Sequence, residues 1–279
     1  MSVRIVIDST TDVTGDIKAH LMVVPLTIRF GTKEYVDGIT MTHRQFYEKL
    51  IESDELPTTS QATPDAFASV FEDIHRAGDS AVVLTVSSKL SGTYQSAMIA
   101  AQDYPEVHVV DTRSVAIGGG ILAELALELV QEGLNAAEIA ERIRMERENV
   151  RLVALLDTLE YLKRGGRISK TVAFAGGLLS IKPVVAVRDG EIAMLGKARG
   201  SKQGNNLLVQ ELEKAGGVNF DKPVMLGYTG LSDLLLRKYV EDSADVWRDH
   251  RSDLPATMIG SVVGTHAGPG AVAVAFFRG

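Results

Sequence analysis

Residues 3–7, 81–86 and 107–110 are short β-rich apolar runs, and each gives way to a polar or small-residue turn and then to a stretch of helical periodicity. The expected helices cover 65–76, 94–103 and 115–131, with Ile117, Ile121, Leu125 and Leu129 on one stripe of the last. Two strands separated by a helix-length crossover must lie parallel, and a parallel sheet needs helices over both faces. The first half of the chain therefore reads as a doubly wound α/β domain, with an insertion over 23–53 that contains a short hairpin and a helix at 42–51.

A charged helical pattern over 136–148 ends near Asn149, and 151–156 reads as a new strand. This places the boundary near 150, giving an α/β domain over 1–150 and a second domain, α+β in character, over 151–279. The second half is expected to hold helices at 158–162, 203–214 and 232–247 and strands at 223–227, 257–262 and 271–277. Asp189-Gly190 marks a tight hairpin. Residues 256–277 carry no formal charge over a length able to span a bilayer, but His266, Gly268, Pro269 and Gly270 interrupt them, so we read two buried strands joined by a loop. Gly118, Gly119 and Gly120 fall inside a helical pattern and imply close packing.

Of the 279 residues 45% are hydrophobic, enough for a sizeable core. The net charge of −7 argues against nucleic acid as a partner, because a duplex binder needs clustered cations. The chain has no cysteine, which removes disulfides, thiolate metal sites and cysteine nucleophiles and fits a reducing compartment. The apolar run before Asp8 is too short for the hydrophobic segment of a secretory signal, so a cytoplasmic protein is expected.

The chemistry-bearing residues gather in three loops: TTSQATP at 58–64, SSKLSGT at 87–93 and GTHAGPG at 264–270. Thr63 before Pro64 reads as a helix cap, and Ser91 to Thr93 precede another helix. Helix starts carry unpartnered N–H groups and a positive dipole end, both suited to a carboxylate or phosphate. Thr59, Ser60 and Ser91 add hydroxyls, and His266 adds a ring N–H. Taken singly, each loop is better explained as a cap with no ligand, and only the combination points to an anion. No phosphate loop, dinucleotide fingerprint, zinc-binding His-Glu-x-x-His or Gly-x-Ser-x-Gly elbow is present, and no metal or cofactor is expected. A serine hydrolase using Ser91, His266 and a carboxylate such as Asp8 is the alternative reading. Lys163, Arg164, Arg167 and Lys170 form a local basic cluster, either a solvated face or a docking patch.

The segments DSTTDVT from Asp8, YVDGITMTHRQFYEKL from Tyr35, TTSQATP from Thr58, LSGTYQSA from Leu90, LEYLKRGGRIS from Leu159, LLSIKP from Leu178 and GTHAGPGAVAVAF from Gly264 together resemble the DegV family of bacterial fatty-acid-binding proteins. The resemblance runs nearly end to end. It implies two α/β domains with one long-chain fatty acid between them, its carboxylate held by Thr59, Ser91 and His266 with support from Ser60, Gly92 and Thr93. Arg199, in LGKARGS, resembles a family arginine near the carboxylate, and Ala62 stands where the family often has proline. The resemblance further implies a carrier that is not catalytic on its own and presents the carboxylate to a fatty acid kinase for conversion to acyl phosphate, with transient contact to a membrane surface. Beside Gly176 and Gly177, the side chains of Phe174, Leu178, Leu179 and Ile181 are candidates for lining the acyl tail, or for an ordinary buried helix.

Overall fold

The computed structural model describes residues 2–53, 55–168, 181–250 and 254–279. The chain begins with strand β1 (Val3–Asp8), helix α1 (Gly15–Lys18), β2 (Met22–Val24), β3 (Thr27–Phe30), β4 (Lys33–Val36), α2 (His43–Glu52), β5 (Thr58–Ser60) and α3 (Pro64–Arg76). It continues with β6 (Ser80–Thr85), α4 (Thr93–Ala100), β7 (Val107–Asp111), α5 (Ile117–Gln131) and α6 (Ala136–Glu146). Then come β8 (Val150–Leu155), α7 (Glu160–Arg164), β9 (Ile181–Arg188), β10 (Glu191–Arg199) and α8 (Ser201–Lys214). The last elements are β11 (Met225–Tyr228), α9 (Leu234–Asp242), α10 (Ala244–Trp247), β12 (Ala256–Met258), α11 (Ser261–Ala267) and β13 (Val272–Phe277).

The expected parallel sheet is present as four strands in the order β2-β1-β6-β7. Val23 and Val24, placed at the start of the expected insertion, belong to β2 and pair with Ile7 and Asp8. After β2 the chain forms a small antiparallel sheet, β4-β3-β5, that brings Thr59 opposite Ile28. Residues 150–277 supply a six-stranded mixed sheet, β10-β9-β8-β13-β11-β12. The β9-β10 hairpin turns at Asp189 and Gly190, both at positive φ (50° and 81°), the pair of left-handed residues that a type I′ turn requires.

Helix starts obey their sequence signals. Thr42 and Gln45 close a reciprocal capping box on α2, as Asn135 and Glu138 do on α6, and the Thr63 hydroxyl accepts from the Ala66 N–H at 3.2 Å ahead of α3. The strongly apolar α5 lies between the two large sheets, packing on β1 and β6 from one and on β11 and β13 from the other. One continuous core results, with Ile5, Ile7, Ile117, Ile121, Met225 and Phe277 in contact through it. The triple glycine is the contact surface: a Cβ at Gly120 would collide with the Asp12 carbonyl, and one at Gly119 would sit 3.1 Å from the Thr11 hydroxyl.

Two expectations are corrected. Residues 257–262 and 271–277, read as strands joined by a loop, are β12 and β13 with helix α11 between them. Val262 and Val263 lend the segment a β-like local pattern, but Gly264 lets α11 approach α2 closely enough that a Cβ there would lie 2.5 Å from the Tyr47 hydroxyl. The helix expected over 232–247 is divided into α9 and α10 at Ser243, whose hydroxyl donates to the Tyr239 carbonyl at 2.6 Å.

Candidate functional site

A cavity of about 380 Å³ lies where the ends of the parallel sheet, β5, α11 and one face of the mixed sheet meet. Its apolar wall results from strand alternation. Leu152 and Ala154 of β8, Val185 and Val187 of β9, and Ala271 and Ala273 around β13 project to the cavity side. Their neighbours Val153, Leu155, Val184, Val272 and Val274 pack into the core on the other side, under α8 and α9. Alanine at 154, 271 and 273 leaves space that leucine would fill.

The polar end is assembled from all three loops singled out in the sequence. Thr59 on β5 and His266 in the last turn of α11 meet at 3.1 Å between Oγ1 and Nε2. Ser91 and Gly92 line the same cavity from the start of α4, as do Ser60 and Gln61. Thr93 is fully buried and stands behind the lining. Its hydroxyl lies 2.9 Å from that of Ser91, and its N–H donates to Ser91 Oγ at 3.2 Å, so it orients Ser91 from behind. Gly92 is required by Gln61: a Cβ at 92 would strike the Gln61 side chain, whose Nε2 donates to Ser96 Oγ at 2.9 Å.

His266 is mostly buried, and desolvation, reinforced by the nearby Arg167 charge, pushes its pKa down to about 4. It is therefore neutral near pH 7. Its Nδ1 is buried without a hydrogen-bond partner, and Gly165 sits so close that an added Cβ would collide with that nitrogen. Among the described residues, Arg167 is the cation at this end of the cavity. It is half-buried, donating from Nε to the Leu90 carbonyl at 3.2 Å and from Nη1 to the Gly165 carbonyl at 2.6 Å.

Arg199 is not brought to this site. It is exposed at the end of β10, and its N–H donates to Gln203 Oε1 at 2.6 Å ahead of α8. The basic cluster is also divided: Arg164 pairs with Glu160 at 2.6 Å on the surface, whereas Arg167 turns inward. That inward turn is not readable from charge spacing. The two glycines before Arg167 are the local signal, since Gly166 adopts φ of 67° and turns the chain back towards Leu162.

A family model described as "Uncharacterised protein, DegV family" matches residues 2–279. A DegV domain-containing protein of Caldanaerobacter subterraneus is 35% identical over 280 residues, covering 98% of either chain. The chain belongs to the DegV family. Among solved structures, that described as "Fatty Acid Binding of a DegV family Protein from Thermus thermophilus" has a TM-score of 0.86 and 31% identity, covering 99% of this chain and 100% of that one. The fold is shared equally, at a TM-score of 0.86 and 24% identity over the full length of both chains, by the Streptococcus pneumoniae Fatty Acid Kinase B3 protein loaded with linoleic acid.

Within this DegV protein the three residues of the hydrolase reading do not form a relay. Asp8 accepts from the Thr10 N–H and hydroxyl at 2.9 and 2.6 Å and from the Val86 N–H at 2.7 Å, while His266 faces Thr59. Asp8 instead ties together the strand ends that carry Thr10 and Val86 into the cavity wall. Of the expected tail residues, Phe174, Gly176, Gly177, Leu178 and Leu179 lie outside the described residues, as does Lys170, and Ile181 begins β9 without lining the cavity. Among the described residues no helix is long and apolar enough to cross a membrane.

Proposed function

We propose that this protein holds one long-chain fatty acid in the cavity between its sheets, with the carboxylate at Thr59, Ser91 and His266 and the tail along the mixed sheet. The observation that carries the reading is the division of a single cavity into a hydroxyl-imidazole end beside Arg167 and a wall of aliphatic side chains. The solved Thermus relative, described as fatty acid binding, supports the same ligand class.

The energetics divide the same way. Each buried methylene contributes about 0.8 kcal/mol, so a tail of roughly fifteen supplies on the order of 12 kcal/mol before ordering costs. The head group fixes orientation. A carboxylate leaving water costs several kcal/mol unless its oxygens are bonded, and the Thr59 and Ser91 hydroxyls, the His266 ring and the Arg167 guanidinium supply donors and charge there. Ser60 and Gly92 border the head group, and Thr93 acts through Ser91. Arg167 takes the electrostatic role first expected of Arg199.

Native mass spectrometry of the purified chain, followed by denaturing extraction, tests this directly. One fatty acid per chain is expected, lost or reduced in the Thr59→Ala/Ser91→Ala double variant. A chain that remains empty after incubation with saturated and unsaturated fatty acids would refute the assignment. The finer reading is that the carrier, located in the cytoplasm, presents the carboxylate to a separate kinase that makes acyl phosphate, without catalysing the step itself. Adding the loaded protein and ATP to an active fatty acid kinase should yield acyl phosphate, and absence of product would reject this step while leaving lipid binding intact.

A further inference from the structure

One wall of the lipid cavity does not stay within the mixed sheet. β9 pairs with β8 at Val184–Leu155, Val185–Ala154 and Ala186–Val153, and the pairing stops there although β8 reaches back to Val150. β9 and β10 remain paired with each other up to the Asp189-Gly190 turn, so from Val187 the hairpin leaves the sheet as a two-stranded ribbon. The register shifts between Met194 and Gly196, an irregularity of the kind that bends a strand away from its neighbours. Val187 and Ile192 face each other across this ribbon, and both line the cavity. A ribbon of two strands is marginally stable by itself, so its tip needs an anchor.

The anchor is Ser87, in the first of the serine-rich loops after β6. Its side chain is fully buried, and its hydroxyl donates to the Gly190 carbonyl at 2.7 Å. The approach is close: a Cβ on Gly190 would lie 2.5 Å from that hydroxyl and 3.4 Å from Lys89 Cγ. The same oxygen accepts from the Lys89 N–H at 3.2 Å. Ser87 also fixes the turn that follows it. Its N–H donates to the Ser114 carbonyl at 2.9 Å, and its own carbonyl accepts from the N–H groups of Leu90 and Ser91 at 2.9 and 3.2 Å.

A serine that only shaped this turn would spend its hydroxyl on the turn's own amides. Here the hydroxyl proton goes to a carbonyl 103 residues away, in the other half of the chain. Arg167 Nε grips the Leu90 carbonyl from that same half at 3.2 Å. The loop that presents Ser91 is therefore held at Ser87 and again at Leu90 by segments that also wall the tail. Ser87 stands behind this wall, while Val86, Leu90, Ser91 and Gly92 form it.

We propose that Ser87 is a positioning residue for the ligand: it ties the β9–β10 ribbon, which walls the tail, to the loop that offers Ser91 to the carboxylate. The proposal rests on the fatty-acid reading of the cavity. Loss of the hydroxyl leaves the buried Gly190 carbonyl without its partner, frees the ribbon tip beside Val187 and Ile192, and loosens the turn that sets Ser91. Head-group capture and tail enclosure are thus linked through one side chain that touches neither end of the ligand.

The test is release of cis-parinaric acid, a fluorescent long-chain fatty acid, from the delipidated full-length chain, followed by stopped flow on displacement with excess oleate. Ser87→Ala should speed release about tenfold, the loss expected for one buried hydrogen bond. In a Ser91→Ala background the same change should speed release about threefold or less, because its action through Ser91 is already gone. A merely structural loss would give equal factors in the two backgrounds. Gly190→Ala, which keeps Ser87 but drives the tip off it, should speed release at least threefold and remains informative if the Ser87 variant folds poorly. It should add little to Ser87→Ala, where the hydroxyl it would strike is absent. In the lipid-free chain, hydrogen exchange read by mass spectrometry should rise together over 87–93 and 187–193 in Ser87→Ala and stay unchanged over β1. Native-like release by Ser87→Ala, equal factors in the two Ser91 backgrounds, or faster exchange in the loop without the hairpin would each overturn the proposal and leave fatty-acid binding intact. A native chain that takes up no cis-parinaric acid would overturn the fatty-acid reading and this role with it.

Discussion

The depressed pKa of His266 makes the stability of the lipid-free protein depend on acid in a way that one substitution isolates. In the folded chain the imidazole titrates at about 4 rather than the ordinary 6.5, because burial penalises the charged ring. The unfolded chain therefore binds the proton first as pH falls, and folding loses stability from about pH 6.5 downward until the folded group also titrates near 4. At pH 5 the unfolded imidazole is almost wholly charged and the folded one almost wholly neutral. Linkage then gives a loss of about 2 kcal/mol relative to pH 7.5, approaching about 3 kcal/mol below pH 4. Urea unfolding of the delipidated protein at both pH values, for the native chain and for His266→Gln, measures it. Delipidation matters because a ligand that binds only the folded state would add its own stabilisation. The variant's absolute stability will shift, but its acid-induced loss should be about 2 kcal/mol smaller at pH 5, since every other titrating group is common to both. Equal acid losses in the two chains, within about 0.5 kcal/mol, would refute the claim that His266 is held neutral by burial.

Three further substitutions probe individual contacts. Gly165 has right-handed backbone (φ −72°), so Gly165→Ala is conformationally allowed, yet its methyl must displace the His266 ring; fatty-acid affinity should fall about tenfold, about 1.4 kcal/mol, in a direct binding titration. Phe71 is fully buried between Phe67 and Tyr104, with ring centroids 5.8 and 5.9 Å away; Phe71→Ala should cost about 3–5 kcal/mol in urea unfolding without altering lipid stoichiometry. Glu124 on α5 is raised to about 7 by burial first and by Glu128 second, and one of its oxygens is buried without a partner. Its folded pKa lies above the unfolded value, so its contribution is present in acid and lost as pH rises through 7. Glu124→Gln should raise the thermal midpoint relative to the native chain at pH 8 and lose that advantage at pH 5.

Why some of this was legible in the sequence and some was not has a physical basis. Strand-helix alternation determines a parallel sheet because a helix-length crossover leaves the chain no other way back, and β1, β6 and β7 pair in parallel accordingly. Asp189-Gly190 was equally legible, since few residue pairs accept two positive φ values in succession. The three loops do meet at one cavity, where hydroxyls beside a helix start come together with an imidazole. What failed depended on contacts between segments far apart in the chain. Helix α11 exists because Gly264 fits against Phe46 and Tyr47, over two hundred residues earlier, and local valine content pointed the other way. Arg167 and Arg199 are alike in sequence: each is a cation close to glycine in a polar stretch. Only tertiary placement turns the first into the cavity and leaves the second in solvent. The aliphatic wall was hidden for a related reason. It consists of alternate residues on three strands whose other faces are just as apolar, so no periodicity distinguishes the side that packs from the side that leaves room. On β8 and around β13 small residues contribute, with Ala154, Ala271 and Ala273 facing the cavity and Val153, Leu155, Val272 and Val274 facing the core, but Leu152, Val185 and Val187 face the cavity as well. Which face is hollow can thus be read only after the strands have been placed side by side and the elements covering each face are known.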